Sequence, residues 1–168
     1  MSANSWIPIG VNSGAASDYT FSAIPAGYKE LILRGHMQSS TSAFTTRADM
    51  RCNGDDASNY NYYSYGYVAN YTLKKDASSS TGEGYLTFLA GSYLGDWNGF
   101  FETHIFGVDD TSRWTQWVTA TGNGGGTNGY NISHFAGGLW RKTAAVTSLT
   151  TVSANWDAGS YVSLYGRK

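Results

Sequence analysis

The chain has 168 residues, 11 basic and 12 acidic side chains, a net charge of -1 and a single cysteine. A domain of that length buries roughly 70% of the surface its unfolded chain exposes, so a core forms without disulfide or metal staples. Lone Cys52 excludes an intramolecular bridge and a Cys-rich zinc site. The balanced charge argues against a phosphate-neutralising nucleic-acid surface, and no run approaches the roughly 20 apolar residues of a bilayer span.

The start, Met1 to Trp6, has no basic stretch leading into an apolar run, which predicts a soluble chain without an export signal. Composition is 15% aromatic and 14% charged, with 21 glycines and 13 tyrosines. That bias favours short strands joined by tight turns.

Successive strand residues point to opposite faces, so a period of two is the signal to follow. Trp6 to Val11 alternates and reads as a strand. In Tyr28 to Met37, Leu31, Leu33, Gly35 and Met37 share one face while Arg34 and His36 share the other. From Phe44 to Cys52, Ala48, Met50 and Cys52 alternate with Arg47, Asp49 and Arg51. This strand stops at Asn53-Gly54-Asp55-Asp56, where Asn53-Gly54 predicts a hairpin turn.

Tyr60 to Tyr71 is a tyrosine-rich strand with one face toward solvent, and Lys74 to Gly84 reads as loop. Strands are expected at Gly84 to Tyr93, Gly99 to Val108, Arg113 to Thr121, Val146 to Asn155 and Ser160 to Gly166. Between them, Gly122 to Gly129 reads as a long surface loop, because glycine loses the most entropy on ordering. No segment sustains helical apolar spacing over ten residues. The expected fold is all-β: one domain, residues 1–168, an antiparallel β-sandwich of jelly-roll-like form with little or no helix.

Chemistry is sparse. His36, His104 and His134 share no metal-ligand spacing, and no GxSxG elbow occurs; Gly91 and Ser92 lack the strand-to-helix context. Cys52 closes an apolar face and reads as a buried, inert thiol. Asn53, Asp55, Asp56 and Asn59 form the densest set of hard oxygen ligands, without the downstream bidentate acid of an EF-hand. They read as a structural turn or, alternatively, a cation loop. Glu102, Asp109 and Asp110 do not read as a glycosidase pair, since Asp109-Asp110 looks like a turn. Gly122 to Gly129 has no lysine and precedes no helix, unlike a phosphate loop. The sequence therefore predicts no enzyme, no metal and no cofactor.

Aromatic surface remains. Trp97, Trp114, Trp117, Tyr130 and Trp140, with the tyrosines of Tyr60 to Tyr71, exceed what one small core needs. They are the candidate binding residues, for a protein interface or for stacking on sugar rings, with sandwich core and strand-edge packing as the alternative for most of them. Trp114 and Trp117 differ by three positions and so point to opposite faces of a strand.

Several motifs occur in a characteristic order. Phe21, Ile24 and Pro25 precede Leu31 and Leu33; Arg51-Cys52-Asn53-Gly54-Asp55 is followed by Asn59-Tyr60; Gly138, Trp140, Ala145 to Leu149 and Leu164-Tyr165-Gly166 close the chain. This series resembles a group of tailed-bacteriophage accessory virion proteins, which carry Phe-x-x-Ile-Pro, Arg-Phe-Asn-Gly-Asp, Asn-Tyr, Gly-x-Trp and Leu-Tyr-Gly. Cys52 stands where that group has an aromatic or aliphatic residue, and residues 72–127 carry little of the likeness. The resemblance implies a β-sandwich on the outer surface of a virion, made in the host cytoplasm. The implied role is capsid decoration, as a homotrimer on the major capsid protein or other virion proteins. The alternative is a receptor- or glycan-binding module of a tail or head fibre, with a host-surface glycan as partner. Neither role involves nucleic acid or membrane, and the likeness carries over no catalytic residue.

Overall fold

Burial follows the alternation of the sequence. In the computed structural model, which describes residues 5–41, 45–68, 72–90, 99–123 and 132–168, Leu31, Leu33 and Met37 are fully buried while Arg34 is exposed. They lie on β3 (Glu30–Met37). A segment with one apolar face gains stability by laying it on a second sheet.

The other described strands are β1 (Ile7–Ser13), β2 (Ala16–Phe21), β4 (Thr45–Cys52), β5 (Tyr60–Val68), β6 (Thr72–Thr81) and β7 (Gly84–Ala90). They continue with β8 (Gly99–Phe106), β9 (Thr115–Asn123), β10 (Ile132–Trp140), β11 (Leu149–Trp156) and β12 (Tyr161–Arg167). All pair antiparallel, in a large sheet of order β1-β12-β3-β8-β9-β10-β5-β6 and a small one of order β2-β11-β4-β7. The molecule is thus an all-β sandwich.

Without β5, β6, β9 and β10, the order becomes β1-β12-β3-β8 over β2-β11-β4-β7, which is jelly-roll connectivity. Two strand pairs are inserted into that frame, β5–β6 after β4 and β9–β10 after β8. Both join the large sheet beyond β8, widening it by four strands.

Aromatic side chains fill the space between the sheets. Trp117, Trp140, Trp156, Tyr60, Tyr85 and Phe101 are among the largest fully buried groups. Tyr19 stacks on Trp156 with ring centroids 5.6 Å apart. Trp117 lies against β10, and its Nε1–H donates to the Tyr85 carbonyl at 3.0 Å. Room for that ring comes from Gly138, where an added Cβ would sit 2.3 Å from a Trp117 ring carbon and 2.3 Å from the Asn61 carbonyl oxygen. The apolar residues of the ordered motifs, Phe21, Ile24, Leu31, Leu33, Trp140, Val146, Leu149 and Leu164, all belong to this core.

Three expectations are corrected. The Lys74 to Gly84 loop is largely strand β6, paired along its length with β5. Its polar residues conceal it, because an edge strand beyond the small sheet has no buried face to impose alternation. Segment β10 also forms a strand where none is expected. Finally, Asn53-Gly54 turns the chain, with φ of 55° and 67° and an Asp55 N–H donating to the Cys52 carbonyl at 3.0 Å, but makes no hairpin. It carries the chain from β4 in the small sheet to β5 in the large one.

Candidate functional site

Strand β5 carries tyrosine on both faces. Tyr60 and Tyr62 are buried against the small sheet, whereas Tyr63, Tyr65 and Tyr67 point away from it and are 54%, 49% and 51% exposed. Tyr62 helps to hold the fold, since the Arg47 guanidinium lies 4.8 Å from its ring centroid and 4.8 Å from that of Tyr85. Arg47 also donates to Asp49 at 2.7 Å and to the Tyr62 hydroxyl at 2.9 Å. The outward tyrosines have no such role within the fold.

Register assembles them into a face. Phe135 on β10 lies beside Tyr65, and Val118 on β9 is separated from Tyr63 only by Gly137. Tyr65 and Phe135 stack with centroids 5.8 Å apart and planes 24° from parallel. Tyr63, Tyr65, Val118, Phe135, Ala136 and Gly137 enclose a shallow apolar dish of about 360 Å³. Exposed Phe100 and Leu73 extend the face along β8 and β6.

Charge appears at its margins. Exposed Lys75 is the register partner of Tyr65 on the β6 side. On the β8 side, Glu102 accepts from Arg34 Nε at 2.6 Å and bonds the His104 ring at 2.8 Å. Desolvation pulls the Glu102 carboxyl up, but the hydrogen bonds from His104 and Arg34 outweigh it, so its pKa lies below the usual range.

Among the candidate binding residues, Trp117 and Trp140 are core, 1% and 2% exposed, and are withdrawn from the surface. Trp117 falls on the inward parity of β9, and Trp140 turns its Nε1–H inward to Asp55 Oδ2 at 2.7 Å. Trp114 is half-exposed just before β9, outside the ladder of paired strands. Trp97, Tyr130 and residues 124–129 of the expected glycine loop lie outside the described residues.

The oxygen-rich loop is committed to holding its own corner. Asn53 Oδ1 accepts from the Thr147 and Ser148 amides at 2.7 and 3.1 Å, and its Nδ2 donates to the Ala145 carbonyl at 2.8 Å. Asp55 accepts from Trp140, from Asn59 Nδ2 at 2.9 Å and from the Ala57 amide at 3.1 Å. Desolvation raises the Asp55 pKa, and these three hydrogen bonds more than reverse it. Asp56 points to solvent. The donor geometry is that of an internal turn, and no cluster of three or more His, Cys, Asp or Glu side chains able to hold a metal ion occurs among the described residues.

Other polar groups are dispersed. Cys52 is fully buried and its thiol is pushed up to about 12 by desolvation, with a smaller effect of Asp55. Asp109 pairs with Lys29 at 2.7 Å, and Asp110 Oδ1 accepts from the Ser112 amide at 2.8 Å. His36 stacks on Tyr161, and His104 meets Trp6 edge-on. His134 is buried, its ring 5.4 Å from Tyr85 and 5.3 Å from Phe88. No protein-family model, no curated protein and no solved structure matches the chain.

Phe100, Val118 and Phe135 are the site residues that sequence reasoning misses. Phe135 is hidden because β10 does not read as a strand; Gly137-Gly138 interrupts its alternation. The odd-numbered tyrosines of β5 share a face by parity, but with Tyr60 and Tyr62 opposite them nothing in the sequence says which face is inside.

Proposed function

We propose that this protein is an accessory structural protein of a tailed-bacteriophage virion, decorating its outer surface, with the aromatic face of the inserted strands as a protein-contact surface. The observation that carries the contact role is the contiguous set Tyr63, Tyr65, Tyr67, Phe100, Val118 and Phe135 on one outward sheet face. Scattered exposed apolar residues are ordinary, whereas a contiguous rimmed patch marks an interaction surface. The virion assignment rests on the ordered motifs from Phe21 to Gly166. Jelly rolls serve capsid and lectin domains alike, so the fold by itself does not choose between roles.

A glycan-binding module is the second reading, favoured by the exposed Tyr65–Phe135 stack and by Asn61 in the adjoining groove. The dish itself is lined almost wholly by apolar groups, and sugar recognition needs hydrogen-bonding partners for its hydroxyls. That weighs toward protein contact. The test is co-sedimentation with phage capsids lacking the protein and, separately, with host cells. Saturable capsid binding that ignores cells supports decoration; cell binding competed by free sugar replaces it with the glycan reading.

A further inference from the structure

We infer that the aromatic face pairs with the same face of a second copy, about a two-fold axis running along β10. The inference rests on reading this face as a protein-contact surface and adds the identity of its occupant.

A two-fold axis parallel to β10, midway between two facing sheets, preserves position along the strands and exchanges the two sides of β10. Each β5 residue then faces the β9 residue of the same cross-strand row, and each β6 residue faces β8. The register gives the rows directly: Glu102–Ala120–Phe135–Tyr65–Lys75, with Phe100–Gly122–Ser133–Tyr67–Leu73 on one side and His104–Val118–Gly137–Tyr63–Ala77 on the other.

Under that operation Tyr65 meets Ala120 of the second copy, Tyr63 meets Val118, and Tyr67 meets the Phe100 ring that lies over Gly122. At Ala120 a large side chain meets a small one, as interdigitating layers require. Lys75 meets Glu102, two strands or about 10 Å from the axis on either side. Leu73 meets Phe100, and Phe135 sits on the axis against its own mate. Shape and charge are both self-complementary, which is what an isologous interface demands.

The area is also of the right order. The exposed rings of Tyr63, Tyr65, Tyr67, Phe100 and Phe135, with Val118, Leu73 and their polar margins, offer on the order of 600–800 Å² per copy, against roughly 800 Å² per partner in a standard stable interface. A small ligand would leave most of this uncovered. Facing sheets pack with their strands within about 30° of one another, which the axis along β10 permits.

Light scattering of the purified chain tests the pairing, with variants at exposed positions. The wild type is expected at twice the chain mass. Ala120→Arg should yield a folded monomer by circular dichroism and scattering. Tyr65→Ala and Ala120→Tyr should each weaken association by about tenfold or more. Combining them moves the projecting ring from β5 to β9 and should restore the dimer. A monomeric or trimeric wild type, an Ala120→Arg variant that still dimerises, or a double variant no better than either single one overturns the pairing. Capsid or cell binding measured on the same samples reports separately on the virion role, so the two fail independently.

Discussion

His134 sets the terms at the scale of single residues. Both ring nitrogens lack a hydrogen-bond partner, and desolvation, opposed only weakly by Asp76, lowers its pKa from 6.5 to about 4. A depressed folded-state value means stability that is complete above 6.5 and is lost as pH falls toward 4. Asp49 runs in the opposite sense. Desolvation, ahead of the Arg47 pair, raises it to about 6, so its share is complete below 3.8 and is lost as pH rises through 6. The wild-type profile sums both, and the histidine shows in a difference. His134→Met is expected to gain roughly 3 kcal/mol relative to wild type between pH 7 and pH 4. Urea midpoints at the two pH values measure it, and a constant difference would remove His134 from the balance. At the loop corner, Trp140→Phe deletes a donor to the Asp55 carboxylate and should cost about 2 kcal/mol at neutral pH, read from the same denaturation curves. Asp55 has a lowered pKa, so its contribution is present above 3.8 and fades in acid; the Trp140→Phe penalty should shrink as pH falls below 3.8.

Strands are legible where burial forces a choice of face. Residues of β3 and β4 alternate because one side lies on aromatic core, and both can be read from the sequence within a few positions. Edge strand β6 faces no core and so leaves no period to read. Strand β10 is obscured for a different reason: Gly138 is demanded by the Trp117 ring rather than by a turn, and a glycine pair resembles loop until its neighbour is known. The structural difference between glycines can be measured. Gly138→Ala should destabilise by about 3 kcal/mol or more, on the order of an overpacked core, while Gly159→Ala, with nothing within 4 Å of its added methyl, should change stability by less than about 0.5 kcal/mol in urea denaturation. Part of the surface site is equally inaccessible to sequence. Trp117 and Trp140 look like surplus aromatics because the core has room for more large rings than an average sandwich, whereas Phe135 draws no notice. The polar edge also has a consequence for assembly. Lysines on an exposed edge discourage strand-to-strand pairing with other chains. Lys74→Ile on β6 is expected to produce larger aggregates on concentration, detected by light scattering, with the circular dichroism of the fold unchanged.

For the whole molecule, the jelly-roll frame and its insertions divide the labour. The frame supplies eight strands, and the four added strands supply most of the outward aromatic rows while their inward Tyr60, Trp117 and Trp140 join the core. Only the outward positions of the insertions can change without rebuilding the core beneath them. The frame itself is held by pairings of high sequence separation, β1 with β12 and β2 with β11. Contacts of that kind make folding slow, in the millisecond-to-second range or beyond, which stopped-flow fluorescence of the buried tryptophans would register. Strand β12 also lies between β1 and β3, so removing residues 161–168 is expected to leave an insoluble chain rather than a trimmed domain.

The same placement of β12 governs what happens on the ribosome. Strands β1 and β3 do not pair with each other and are joined only when residues 161–167 arrive between them. At about 5–20 residues per second, translation keeps the earlier strands waiting roughly 7–30 s with apolar faces and open edges uncovered. A nascent chain of this topology is expected to gain yield in a cell from holding factors that cover those faces during synthesis.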